Sequence, residues 1–120
     1  PGEMVTIDVP EALVGATIQV GAWRDPHEHA YRVRLRHGLR RFAITSPTTA
    51  IASAIGGPIY IDVPEDAAWR GKGSHAVKIQ NALRAPHFKL GVTDLDAWKN
   101  EIRTLEAPWA EIETNNLILI

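Results

Sequence analysis

Three histidines near residue 30 come closest to a motif that could do metal chemistry. His27 and His29 flank Glu28, and His37 follows eight residues after His29. A zinc peptidase helix needs H-E-x-x-H, in which two histidines one turn apart bind the metal and the glutamate acts as base. Tyr31 stands where the second histidine would be. Two alternatives remain, a three-histidine site on a strand and a polar exposed loop, and the mismatch favours the loop.

A basic stretch follows these histidines. Strand alternation would place Arg32, Arg34 and Arg36 on one face, where guanidinium groups suit sulfated or sialylated glycans. Few aromatic residues are interleaved with them, which argues against nucleic acid as the ligand. The competing interpretation, and the favoured one, is a solvated sheet face whose charge protects an edge from aggregation.

Trp69 is the best candidate for an aromatic residue that stacks on a sugar ring. It lies in a polar loop, residues 65–73, and is the one tryptophan of four in such a setting. Trp98 lies on a helical apolar stripe and Trp23 ends an apolar strand face, so both are predicted to be core residues. Trp109 follows a proline in a hairpin and is predicted to be half-buried.

Nothing else in the chain predicts catalysis. Ser46, Ser53 and Ser74 lie outside any G-x-S-x-G elbow, and no phosphate loop is present. The absence of cysteine excludes disulfides and thiolate sites, and a net charge of -1 does not favour nucleic acid or an anionic membrane as a partner. No apolar run approaches the ~20 residues of a membrane span. The residues alone predict a non-catalytic module without a cofactor of its own.

Apolar alternation and turn residues predict a mainly β fold. The turn Gly56-Gly57-Pro58 leads into a strand over 59–63 that stops at Pro64. Short strands at spacings of ~8–12 residues indicate an antiparallel β-sandwich of the jelly-roll or Ig-like kind. The other predicted strands cover residues 5–9, 16–23, 33–35, 42–44, 76–82 and 87–90.

One helix is predicted near residues 94–105. Asp94 has the type and position of an N-cap, and Leu95, Trp98, Ile102 and Leu105 recur at spacings of three and four. Pro108 ends the pattern. A closing hairpin is predicted to follow, with strands over 109–113 and 117–120 and a turn at 114–116.

Two phrases of the chain resemble the enhancin-like metallopeptidase family. The first is Gly56-Gly57-Pro58-Ile59-Tyr60-Ile61, and the second begins at Ala85 and fits PxFxLGxTDxxxW through Trp98. Weaker similarities at 18–22, 42–46 and 107–111 keep the same order. The resemblance covers nearly the whole chain, and the second phrase is its most specific part.

The resemblance implies a β-sandwich region that precedes a catalytic domain. In the family, zinc is held downstream by H-E-x-x-H and a further glutamate, and members cleave mucins and other O-glycoproteins. No catalytic residue is therefore carried over to this chain, and zinc is expected in the downstream domain.

Together, the residues and the resemblance predict that 1–120 is a single non-catalytic accessory domain. It would be a fragment of a longer, secreted or cell-surface protein, and its main partner would be its own downstream catalytic domain. The expectation of a fragment also draws on the start at Pro1 and the apolar run at 117–120. The alternative is a free-standing glycan-binding module that uses Trp69, Arg32, Arg34 and Arg36.

Overall fold

The computed structural model describes residues 2–22, 38–67 and 73–120, and these form two compact units, Pro1–Asn81 and Ala82–Ile120. The strands within them are β1 (Met4–Asp8), β2 (Thr17–Val20), β3 (Arg40–Ala43), β4 (Thr48–Ala52), β5 (Ile59–Asp62), β6 (Lys78–Gln80), β7 (His87–Lys89), β8 (Glu111–Glu113) and β9 (Ile118–Leu119). One α-helix, α1 (Leu95–Asn100), and two 3-10 helices, Glu11–Leu13 and Ile102–Thr104, complete the described elements. The strand predicted at 33–35 lies outside the described residues.

The first unit contains two antiparallel sheets of three strands each. In one sheet β1 lies between β4 and β6, with Val5 opposite Ile51 and Ile7 opposite Ile79. In the other sheet β2 lies between β3 and β5. Each central strand alternates in burial, so one face of each sheet supplies apolar side chains to the interior.

The inward faces of these two sheets form one hydrophobic core. Ile7, Ile18 and Ile44 are its largest fully buried side chains. The remaining core members are Val9, Leu13, Ala16, Val20 and Ile51, and partly buried residues such as Phe42 and Ile61 pack against them. The fold is therefore mainly β, a β-sandwich with one short helix, as the strand pattern predicts.

Three glycines bring separate segments of the first unit into close backbone contact. Gly21 has φ +88°, and a Cβ atom there would overlap the carbonyl oxygen of Gly38. Gly57, in the predicted Gly-Gly turn, has φ +129°, and its Cβ would lie 2.7 Å from the Gly21 Cα atom. The Gly21 amide also donates to the Pro58 carbonyl over 2.8 Å. Only residues without a side chain can occupy positions 21 and 57 in this arrangement.

The second unit is a small mixed sheet in the order β7-β8-β9. β8 and β9 form the predicted antiparallel hairpin, and Thr114 closes its turn by accepting from the Leu117 amide over 3.0 Å. β7 and β8 run parallel, with Phe88 opposite Ile112. This pair departs from the purely antiparallel expectation, because the segment containing α1 carries the chain back before β8 begins.

Helix α1 begins as predicted and ends earlier than predicted. Asp94 caps it, since its Oδ1 accepts from the amides of Asp96 and Ala97 over 3.0 and 2.8 Å. After Asn100 the backbone leaves the α conformation, and the Arg103 side chain donates to the Lys99 carbonyl over 2.7 Å. That side chain satisfies a carbonyl that a continuing helix would use. The predicted helix over 94–105 is therefore one α-helical piece followed by a 3-10 turn.

No helix in the described part of the chain combines the length and apolar character needed to cross a membrane.

Candidate functional site

The four residues predicted to bind a ligand, Trp69, Arg32, Arg34 and Arg36, lie outside the described residues. The same is true of the three histidines considered as metal ligands, His27, His29 and His37. The glycan-binding and three-histidine hypotheses therefore stay predictions.

Arg41, which follows the predicted stripe of Arg32, Arg34 and Arg36 by five residues, lies on β3 within the described residues. Its guanidinium donates to Gln19 Oε1 on β2, with Nη2 at 3.1 Å, and its Nη2 also lies 3.5 Å from an Asp62 carboxylate oxygen on β5. Arg41 thus spans three neighbouring strands on an exposed sheet face. This placement is what the solvated-face interpretation expects at that one position.

A polar cluster that the sequence reasoning missed lies on one face of the β7–β8 pair. The parallel register places His87 opposite Glu111 and Lys89 opposite Glu113. Because side chains alternate along a strand, all four share a face of the sheet. We call His87, Lys89, Glu111 and Glu113 the 87–113 cluster.

Glu113 is the centre of this cluster. Its Oε2 lies 3.0 Å from His87 Nε2, and its Oε1 accepts from Lys89 Nζ over 2.5 Å. His87 Nε2 also lies 3.8 Å from Glu111 Oε1. The glutamate side chains are 24% exposed, whereas His87 and Lys89 are about half exposed. The hydrogen bond from Lys89, helped by one from His87, lowers the pKa of Glu113 below its usual range.

The cluster holds one imidazole and two carboxylates whose donor atoms all lie within 4.8 Å of one another. Such a set can bind a cation, and it can also form an ordinary surface ion-pair network. The sequence carried only a weak signal for it, the alternating polar and apolar positions of His87-Phe88-Lys89 and Glu111-Ile112-Glu113. Their pairing depends on a parallel register between strands far apart in the chain.

The opposite face of this sheet is fixed by an aromatic pair. Phe88 on β7 and Trp98 on α1 meet edge to face, with ring centroids 5.3 Å apart and an interplanar angle of 66°. Pairs of this geometry contribute about 0.5–1.5 kcal/mol beyond their buried area. Trp98 is half-buried and is not a member of the hydrophobic core, so the prediction that it is a core residue is wrong. The pair anchors β7 and thereby the polar residues on its other face.

Residues 82–120 expose many large apolar side chains. Val92 is 73% exposed, and none of the side chains of the hydrophobic core among the described residues lies in this unit. We call the set the 83–120 apolar surface; it consists of Leu83, Leu90, Val92, Leu95, Trp109, Ile112, Leu117, Ile118, Leu119 and Ile120. So many exposed apolar residues in a short segment are typical of a surface that another part of a protein covers.

Two family models match the chain end to end. Residues 1–80 match the N-terminal domain of M60-like peptidases, and residues 81–120 match peptidase M60, enhancin and enhancin-like. The chain belongs to the enhancin-like M60 peptidase family. The boundary between the matches falls within one residue of the boundary between the two structural units.

Curated relatives align with nearly the whole of this sequence. It is 35% identical over 123 residues to TRPM8 channel-associated factor 1 of Homo sapiens, and the alignment covers 99% of this chain and 13% of the relative. The TRPM8 channel-associated factor homolog of Xenopus laevis is 34% identical over 122 residues, again 99% of this chain and 13% of the relative. The chain thus spans about an eighth of the length of these relatives. No solved structure gives a significant match.

Proposed function

We propose that this chain is the non-catalytic N-terminal accessory region of an enhancin-like zinc metallopeptidase that acts on mucins and other O-glycoproteins. The observation that carries the proposal is the order of the two family matches. An M60-like N-terminal domain over 1–80 is followed at residue 81 by the opening of a peptidase M60 match. This order supports a position of residues 1–120 ahead of the part that would cut substrate.

The zinc of such an enzyme would not be held by these 120 residues. None of the five histidines begins an H-E-x-x-H sequence, since His27-Glu28 is followed by His29-Ala30-Tyr31. The donors of the family's metal helix therefore do not fit any segment of this chain. The proposal assigns zinc and its activated water to the downstream domain, and it assigns no reaction step to the residues described above.

Residues 1–81 support the role of a structural buttress. Their two sheets enclose an apolar core of eight buried side chains among the described residues, which gives this unit packing of its own. A rigid neighbour of this kind can hold a catalytic domain and limit how a glycan-bearing substrate approaches it. Secretion, or display at a cell surface, is part of the proposal because O-glycoproteins are found there.

Residues 82–120 support the partner named in the proposal, the downstream part of the same polypeptide. They match the peptidase model, and they carry the 83–120 apolar surface rather than a core. Burying a half-exposed side chain such as Ile118 or Leu119 against that partner would gain about 25 cal/mol per Å² of apolar area removed from water. The second unit would then be the N-terminal part of the peptidase domain.

Mucin cleavage by matched polypeptides tests the proposal. A polypeptide extended through the downstream H-E-x-x-H is expected to cleave mucin in a zinc-dependent manner, and the 120-residue chain is expected to leave mucin intact. The matched control is the extended polypeptide with the glutamate of H-E-x-x-H replaced by glutamine. Removal of residues 1–80 from the extended polypeptide is expected to lower its thermal stability and its turnover of mucin.

Two results would contradict the assignment. Cleavage of mucin by the 120-residue chain alone would show that the chain is itself catalytic. An extended polypeptide that carries no H-E-x-x-H, or that cleaves no glycoprotein with zinc present, would remove the peptidase role.

A further inference from the structure

We propose that His87, Glu111 and Glu113 form a binding site for a divalent transition-metal ion of the zinc class. The site lies on the exposed face of the β7–β8 pair and is separate from any peptidase zinc. Within residues 2–22, 38–67 and 73–120 it is the one place where three such donor atoms converge.

The first support for the site is that the distances between its donor atoms are close to those around a tetrahedral zinc ion. Ligands about 2.0–2.1 Å from a tetrahedral zinc ion lie about 3.4 Å from one another. His87 Nε2 is 3.0 Å from Glu113 Oε2 and 3.8 Å from Glu111 Oε1, so the two observed separations bracket that value. Small rotations of long side chains would bring all three donors into the coordination geometry.

The chemistry of the donors indicates which ion fits. An imidazole nitrogen suits zinc and its neighbours, whereas magnesium and calcium prefer sites made only of oxygen. Three protein ligands leave a fourth position for water or for a group from another molecule. His87 would ligate through the lone pair of Nε2, with its proton on Nδ1.

Lys89 is placed to support the site rather than to block it. Its ammonium donates to Glu113 Oε1, and Oε2 of the same carboxylate faces His87. A metal ion could therefore bind Oε2 while the Lys89 hydrogen bond holds the carboxylate in position. Ligating carboxylates commonly receive such an outer hydrogen bond, which orients them toward the metal.

The framework under the ligands is also ordered. Glu111 and Glu113 lie on β8, which pairs with β7 on one side and β9 on the other. His87 lies next to Phe88, which the Trp98 ring holds from the opposite face. Strand positions set by hydrogen bonds and packing hold metal ligands more accurately than loop positions do.

Calorimetric titration of zinc chloride into the untagged 120-residue chain tests the site. The wild-type chain is expected to bind one equivalent. His87→Ala and Glu111→Gln are each expected to raise the Kd more than about tenfold, because changes even outside the ligand set cost about 10–100-fold in affinity. Glu111→Gln keeps the size of the side chain, so it guards against a loss caused by misfolding, and circular dichroism checks the fold of each variant.

Two control variants separate this site from the other histidines. His75→Ala removes a histidine that is not part of the cluster, and His27→Ala/His29→Ala removes the pair considered as ligands from the sequence. Both controls are expected to bind zinc as the wild type does. No heat with the wild-type chain, unchanged binding by His87→Ala, or loss of binding in the His27/His29 variant would each overturn the proposal. Because the readout is metal binding, the result is independent of whether the extended protein cleaves mucin.

Discussion

Residues 2–81 and residues 82–120 differ in where their apolar side chains lie. Among the described residues, the eight side chains of the buried core lie between residues 7 and 51, whereas the second unit exposes ten large apolar side chains, from Leu83 to Ile120. Both units are made of short strands, so strand content does not distinguish them. The units differ in burial because the first contains two sheets that share a core, whereas the second contains one sheet among its described residues.

The comparison shows that the two units depend on different kinds of stabilisation. The first unit gains most from burial of its own apolar area, and we expect its central strands to open only with global unfolding. The second relies on local contacts, namely the Asp94 cap, the Phe88–Trp98 pair and the hairpin turn at Thr114. We therefore expect amide exchange to be faster at residues 82–120 than at β1 and β2.

The largest expected effect is at the glycine contact of the first unit. Gly21→Ala places a methyl group against the Gly38 carbonyl at a positive φ, and we expect a loss of about 4 kcal/mol or more in the free energy of unfolding. Gly15→Ala is the matched control, since Gly15 has φ +101° but open space around its Cβ position. It should cost only the backbone strain, about 1–2 kcal/mol.

Urea unfolding followed by circular dichroism measures both glycine variants. Equal losses for the two would mean that the close approach of Gly21 to Gly38 contributes nothing, and that backbone strain explains the effect.

Paired isoleucine truncations test the contrast in burial directly. Ile18 is 0% exposed on β2, and we expect Ile18→Ala to cost about 3 kcal/mol, because it leaves a cavity in the core. Ile118 is 54% exposed on β9, and Ile118→Ala should cost less than about 1 kcal/mol. Urea unfolding gives both values, and a loss at Ile118 equal to that at Ile18 would contradict the contrast between the units.

The last prediction concerns a small effect that is local to the second unit. Asp94→Ala removes the acceptor for two amides of α1, and we expect it to cost about 1 kcal/mol of helix stability. Hydrogen exchange at residues 95–101 measures the change, which should leave β1 and β2 unaffected. Asp96→Ala is the control, because Asp96 lies in the first turn of α1 but its side chain does not cap the helix. Faster exchange throughout β1 and β2 would show that the units unfold together.

Local features of the sequence predicted most of the individual elements. Alternating apolar residues identified β1, β2 and β5, and the residue type at position 94 identified the start of α1. The strand β4 is not among the predicted strands, because Thr48-Thr49-Ala50-Ile51-Ala52 has little contrast between its two faces. The predicted end of α1 was also wrong. The Arg103 and Thr104 side chains donate to the Lys99 and Glu101 carbonyls, which backbone amides would use if the helix continued, and the spacing of apolar residues does not reveal these hydrogen bonds.

The candidate site could not be predicted from the sequence. His87 and Lys89 meet Glu111 and Glu113 only through the parallel register, which joins residues 24 positions apart. A spacing rule for metal ligands looks for close neighbours on one element, and it pointed to His27 and His29 instead. The residues that form a face across two strands become visible only when the order and direction of the strands are known.

The order of strands in the second unit also gives its sheet two unequal edges. At one edge, β7 carries the polar residue His87 and the charged residue Lys89, which discourage pairing with another chain. At the other, β9 lies within the uncharged run Leu117-Ile118-Leu119-Ile120, whose side chains are about half exposed. Isolated copies of this chain should therefore self-associate through β9 as concentration rises, and a lysine placed at residue 118 should keep them soluble.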